Sequence, residues 1–159
     1  RSTLFPYTTL FRSTNFGYYG EKLVIRCIQH GLNTCWVGGT YKKVKEAIVV
    51  RADEKIVAVI AVGYGKTMGS ARKSKTAGEV FDAKASKVAG FEETPDWFKD
   101  GVEMALMAPT AFNRQRFSFA LSGDRIKVKS GMGPMSKVDL GIVKYHFEIG
   151  ASPKEFVWA

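Results

Sequence analysis

Cysteine and histidine are scarce: the 159 residues carry two of each. Cys27 and Cys35 lie eight positions apart, with neither a C-x-x-C pair nor a cysteine-rich framework, so a disulfide scaffold and a structural zinc site both lack support. That usage points to a reducing, cytoplasmic setting. His30 and His146 are far apart and stand in no metal-ligand spacing, so no metal centre is expected. No Ser/His/Asp, Cys/His or paired-carboxylate arrangement can be assembled, and both histidines fall inside predicted helices, where each reads as structural. Hydrolysis is disfavoured, and an organic cofactor that brings its own reactivity is favoured. No side chain is assigned as a catalytic acid, base or nucleophile. The longest apolar run, Ile56–Val62, is strand-sized and far short of the ~18–20 residues that cross a bilayer, so no membrane partner is expected.

What is present is an ordinary globular composition, 45% hydrophobic and 25% charged, in which 24 Lys and Arg stand against 15 Asp and Glu for a net charge of +9. The excess of lysine would suit a basic nucleic-acid-binding domain, the alternative from another class. Against it, the lysines are dispersed and no helix-turn-helix, zinc-finger or RNA-binding aromatic pattern appears. No nucleic-acid partner is expected.

Arg1–Ser13 (RSTLFPYTTLFRS) has no amphipathic period and no signal-peptide layout. Its back-translation resembles a standard sequencing-library adapter, codon for codon. The segment is therefore read as a non-native scar, which leaves 146 residues at a net charge of +7. A chain that begins in an adapter is expected to be the C-terminal portion of a longer protein.

Apolar spacing predicts a helix over Tyr18–Gly31, stopped by Gly31. Leu32–Thr40 reads as a loop with paired glycines, Lys42–Val50 as a short basic helix, and Lys55–Tyr64 as a strand buried on both faces. Lys66–Ala89 lacks a period and reads as a long connector. Thr94, Pro95 and Asp96 suggest an N-cap, a first-position proline and a first-turn acid for a helix over Pro95–Met107. Arg116–Leu121 and Arg125–Lys129 form a hairpin around Ser122-Gly123-Asp124. Ser136–Ile149 is the last helix, with Ser136 as cap and Asp139 at the third position of a capping box. The fold class is therefore α+β, with helices packed on a mixed or antiparallel sheet. The helices ending at Gly31 and Gly150 share an early glycine and an apolar stripe, which hints at duplication.

Three segments offer more than a core needs. In Cys35-Trp36-Val37-Gly38-Gly39 two glycines allow close approach to a flat ligand with amides free to donate, beside Trp36; a plain turn with a core tryptophan would read the same. Arg72-Lys73-Ser74-Lys75 sets ammonium groups and a hydroxyl where a phosphate could dock, or forms a solvated basic loop. Within Ala108–Gln115, Thr110, Asn113 and Gln115 could read a polar ring edge while Pro109 stiffens the approach, or could merely satisfy a helix-to-strand connection.

Together these segments resemble a known family. HGLNTCWVGG resembles the G-L-G-T-C-W-[IV]-G-G segment of flavin-dependent nitroreductases, and APTAFNRQ their A-P-S-x-x-N-x-Q-P-W segment. RKSK is similar to their basic K-S-R stretch, and VDLGIVKYHFEIGA to their D-x-G…A helix. The order of the motifs is reversed relative to ordinary members, as in the tandem branch where two half-domains fuse into a pseudo-dimer. The resemblance implies a nitroreductase-like fold truncated at its N-terminus, with 14–89 closing the first half and 90–159 belonging to the second. It implies FMN as cofactor, NAD(P)H as donor, a small electron-poor acceptor such as a nitroaromatic or quinone, and a monomeric parent. A fold that binds flavin without turnover is the other reading of the same motifs. By resemblance Gly38 and Gly39 present amides to the flavin edge beside Trp36, Lys73, Ser74 and Lys75 meet its phosphate, and Pro109, Thr110 and Asn113 approach from the other half. Gln115 matches the motif glutamine as a support. Arg116 and Phe117 replace the usual Pro-Trp, both phosphate candidates are lysines, and the N-terminal arginine motif is absent.

Overall fold

Helix α1 (Pro6–Gln29) opens the chain. The computed structural model describes residues 6–42, 49–52, 54–67 and 69–159; the basic helix expected over Lys42–Val50 falls mostly on 43–48, outside the described residues. These residues form two compact units, one of residues up to Glu21 together with Ala71–Ala159, the other of Lys22–Ser70. Helix α1 starts well before the predicted Tyr18, inside the segment set aside, with Pro6 in the first turn where its missing N–H is no loss. Its end is as expected. Gly31 takes φ 75°, its amide donates to Ile28 O at 2.9 Å, and the Leu32 amide donates to Cys27 O at 3.0 Å, which satisfies two carbonyls that the helix leaves unpaired.

In the second unit, β1 (Asn33–Val37) pairs antiparallel with β2 (Val59–Gly63), from Asn33 opposite Gly63 to Val37 opposite Val59. Two expectations are corrected here. Leu32–Thr40 is not all loop, because Cys-Trp-Val has strand-forming side chains that pair before the glycines begin. The strand expected over Lys55–Tyr64 is shorter and is not buried on both faces: Val62 is half exposed, as a two-stranded ribbon requires.

The first unit holds the main core. The expected structureless connector contains a 3-10 turn at Gly78–Val80 and a short helix α2 (Ala83–Ser86), whose N-cap Asp82 accepts from the Ala85 amide at 3.0 Å. Helix α3 (Asp96–Leu106) is one residue shorter at each end than predicted. Thr94 is not its cap: the hydroxyl donates to Phe91 O at 2.7 Å and closes the preceding turn, leaving Pro95 in the cap position. Strands β3 (Phe117–Ser122) and β4 (Arg125–Ser130) form the expected hairpin, with Gly123 at φ 60° in its two-residue turn. Helix α4 (Ser136–Ala151) follows, and β5 (Val157–Trp158), not foreseen, joins β4 in parallel. The α4 cap is also corrected. Met135 takes the cap position at φ 65°, Ser136 is already helical, and the Asp139 carboxylate accepts from the Ala111 amide instead of closing a capping box. Fully buried Phe98, Phe119 and Phe147 bring α3, β3 and α4 together, with ring centroids 5.0 to 6.4 Å apart. The α+β class is as expected. Among the described residues no helix is long and apolar enough to cross a membrane.

Within this unit α1 and α4 cross through glycine. A Cβ at Gly17 would collide with the Val138 carbonyl, and one at Gly141 would collide with the Thr14 carbonyl. Thr14 precedes Gly17 by three residues and Val138 precedes Gly141 by three, so the contact is reciprocal, as across a two-fold axis.

Candidate functional site

The loop after α3 and the basic stretch before α2 are bonded into one structure, and Gln115 is its centre. Gln115 is 2% exposed. Its Oε1 accepts from the Lys75 amide at 2.8 Å, and its Nε2 donates to Ser74 Oγ at 3.0 Å and to Leu106 O at 2.8 Å. Its carbonyl accepts from Lys75 Nζ at 3.0 Å, and its amide donates to Thr110 Oγ1 at 3.1 Å. A buried side-chain amide with every polar atom engaged holds one geometry, since any other leaves a buried group unpaired. Beside it, Asn113 Nδ2 donates to Lys73 O at 2.7 Å. The backbones of Lys73 and Lys75 are thereby fixed.

Arg72, which shares the basic stretch, has a different task. Its guanidinium donates to Ala108 O at 3.0 Å, Leu106 O at 3.3 Å and Met107 O. These carbonyls lie at the C-terminal end of α3, where the backbone has no helical donor left and the helix dipole is negative. The exposed ammonium of Lys73 bonds to no described residue, Lys75 spends one of three N–H donors on Gln115, and the Ser74 hydroxyl keeps its own proton. Glu79 lies near both lysines. Donors from Thr76, first its amide and then its hydroxyl, hold the Glu79 carboxyl below the usual range, and Lys75 and Lys73 add to the effect.

The loop is conformationally strained. Phe112, Asn113 and Gln115 take φ of 56°, 52° and 44°. Asn tolerates that region; Phe and Gln do so at a cost of order 1 kcal/mol each, met only where surrounding bonds enforce it. Phe112 is 81% exposed, with the Arg114 guanidinium 5.3 Å from its ring centroid. The loop is anchored on its other side by Asp139, whose Oδ1 accepts from the Ala111 amide at 3.0 Å.

Burial raises the Asp139 carboxyl above the ordinary aspartate value, and the Ala111 amide only partly offsets this. A raised folded pKa means that the native state favours protonated Asp139. The associated stability is present below the unfolded value and is lost as pH rises through the folded one. Asp139→Asn keeps the acceptor without the charge. Its unfolding free energy should exceed the native protein's at neutral pH, with the difference closing as pH falls through the acid range. Urea titrations at several pH values check this.

Of the residues singled out from sequence, Lys73, Ser74, Lys75, Thr110, Asn113 and Gln115 are brought together by direct bonds, and half-buried Pro109 leads into the same loop. Trp36, Gly38 and Gly39 belong to the other unit. There Trp36 lies on β1 opposite Ile60, and exposed Gly38 and Gly39 follow it. A Cβ at Gly39 would meet nothing, and its φ lies outside the left-handed range, so local packing gives no reason for glycine there. Sequence reasoning missed Arg72 and Asp139 as anchors. An arginine that caps a distant helix leaves no sequence signal, and Asp139 carries the pattern of an ordinary first-turn acid.

The α+β fold is nitroreductase-like. The chain belongs to the family described as "Putative TM nitroreductase", whose model matches residues 9–151. Among solved structures it is similar to a "putative nitroreductase" from Thermotoga maritima, with 27% identity and a TM-score of 0.64. The match covers 85% of this chain and 52% of that one, so the chain spans about half the length of that protein. No curated protein matches.

Proposed function

We propose that the chain is part of an FMN-dependent oxidoreductase that passes hydride from NAD(P)H to a nitroaromatic, a quinone or a similarly electron-poor small molecule. The observation that carries this reading is the bonding of Lys73-Ser74-Lys75 to Asn113 and Gln115. Two motifs that resemble flavin-contacting segments, far apart in sequence, are locked together in one rigid piece.

The donor set fits a phosphate monoester. Two ammonium groups, partly offset by the neighbouring Glu79 carboxylate, attract a dianion, the serine hydroxyl adds a third donor, and the Gln115 and Asn113 bonds limit the ordering needed on binding. When bound, FMN supplies the two-electron chemistry. The chain's own contribution is to hold and orient: Lys73, Ser74 and Lys75 at the phosphate, Pro109, Thr110 and Asn113 along the loop edge. In the other unit, Gly38 and Gly39 would offer amides to the polar edge of a flavin, with Trp36 alongside. Such amides favour negative charge wherever it develops on that edge. The family's name speaks for reduction, and the acceptor class comes from the same resemblance.

We also infer that the parent is a tandem pseudo-dimer, monomeric and cytoplasmic, with 14–89 closing its first half and 90–159 belonging to its second. The reversed motif order and the reciprocal crossing at Gly17 and Gly141 support the tandem arrangement. The intact parent, loaded with FMN, should oxidise NADH or NADPH when a nitroaromatic or quinone is supplied, as followed by nicotinamide absorbance. Flavin retention without any oxidation would instead favour a binding protein, and an absence of both would overturn the reading.

A further inference from the structure

A cavity of about 450 Å³ lies in the first unit, walled by Tyr18 and Tyr19 of α1, Leu140, Lys144 and Glu148 of α4, and Trp158 of β5. None of the residues assigned to flavin lines it, and its volume suits a small organic ligand. Its polar groups are unevenly satisfied. Both Glu148 oxygens are occupied, Oε1 by Trp158 Nε1 at 2.8 Å and Oε2 by the Tyr18 hydroxyl. Burial, and then the neighbouring Glu148, raises the Tyr18 phenol above its ordinary value, so it stays a neutral donor.

Lys144 is in the opposite situation. Its ammonium lies 4.6 Å from the centroid of the Trp158 ring and donates to no acceptor among the described residues. Burial lowers its pKa, with Glu148 working against the shift. A half-buried cation over an indole face, next to a carboxylate already bonded on both oxygens, has unused donors. Lys137 adds a second positive charge seven residues earlier on the same helix stripe, with one donor on Ser130 Oγ at 3.3 Å. Charges on the lining residues therefore sum to one excess positive charge. The aromatic walls provide flat apolar surface, and Tyr19 is 61% exposed beside them.

We propose that this cavity binds a planar aromatic monoanion, an aryl carboxylate in its simplest form, with Lys144 as counter-ion and Tyr18, Tyr19 and Trp158 against the ring. A neutral arene would leave the ammonium's donors unused, and an aryl cation would meet it with like charge. The reading stands apart from the flavin assignment.

The probe is 1-naphthoate, titrated into the chain by calorimetry, with 1-naphthylmethylammonium as the cationic counterpart. Naphthoate should bind one to one with a Kd below about 1 mM, and the cation should not saturate. Lys144→Gln should weaken naphthoate at least ~10-fold, the loss of one charge-assisted bond, whereas Lys144→Arg should retain most of the affinity. Lys73→Gln/Lys75→Gln should bind naphthoate as the native chain does, which separates this cavity from the flavin reading. Circular dichroism confirms that each variant is folded. Absence of saturable naphthoate binding, equal binding of the cation, or unchanged affinity in folded Lys144→Gln would overturn the proposal.

Discussion

Gln115→Leu should lower the unfolding free energy by about 3 kcal/mol. Leucine fills a similar volume, so the loss comes from hydrogen bonding rather than from a cavity. Three bonds go at once, from the Lys75 amide and to Ser74 Oγ and Leu106 O. Leu106 O keeps a second donor in Arg72, 3.3 Å away, but the Lys75 amide loses its partner. Gln115 also sits at φ 44°, a torsion that the replacement must adopt without the bonds that enforce it. Urea unfolding followed by circular dichroism measures the effect, and a loss below about 1 kcal/mol would show that the node is not rigidly coupled. The same variant frees the Lys75 backbone, although Asn113 still holds Lys73 O, so flavin affinity should fall with stability. In Lys73→Gln/Lys75→Gln, by contrast, flavin affinity should fall while stability drops by no more than about 1 kcal/mol, the worth of the Lys75 Nζ bond to Gln115 O.

Gly141→Ala should be of similar size, about 3 kcal/mol, although alanine is the better helix former by about 1 kcal/mol. The added methyl would collide with the Thr14 carbonyl and lie 2.6 Å from the Tyr18 backbone nitrogen. Both are main-chain atoms of α1, so no side chain can yield, and the two helices must separate. Gly78→Ala is the matched control, since a Cβ there meets nothing within 4 Å. If both variants unfold at the same urea concentration, the close helix crossing is not a determinant of stability. The reciprocal crossing also makes a comparison between helices: Asn15 precedes Gly17 by two residues as Asp139 precedes Gly141. The two equivalent positions thus carry an amide and a carboxylate, the same exchange that Asp139→Asn would make in α4.

Elements whose signal is local were legible in the sequence. Alternating Phe117, Phe119 and Leu121 with Gly123 after them specify the β3–β4 hairpin through side-chain alternation and one left-handed turn position. Gly31 specifies the end of α1 for the same kind of reason. Features decided by tertiary partners were not. Thr94 and Ser136 both carry good cap chemistry, yet the Thr94 hydroxyl closes a preceding turn and Ser136 lies inside its helix, because neighbouring turns set the backbone. The paired glycines obscured β1, whose strand character depends on β2 more than twenty residues later. Of the candidate site, the sequence marked the segments that the structure bonds together and Gln115 as a support. It could not reveal that Gln115 and Asn113 grip the basic stretch forty residues earlier, nor that Arg72 serves the end of α3. Those bonds depend on how the chain folds back on itself.

Lys73, Ser74 and Lys75, held by Gln115 and Asn113, form the proposed flavin-phosphate site. The most direct test is a titration of the intact parent protein with FMN, read as quenching of flavin fluorescence, beside its Lys73→Gln/Lys75→Gln variant and with riboflavin as the ligand lacking phosphate. FMN should bind more tightly than riboflavin, and the double variant should lose about a hundredfold in FMN affinity with riboflavin affinity unchanged. Equal affinity of the native protein for FMN and riboflavin, or an unaltered FMN affinity in the folded double variant, would contradict it.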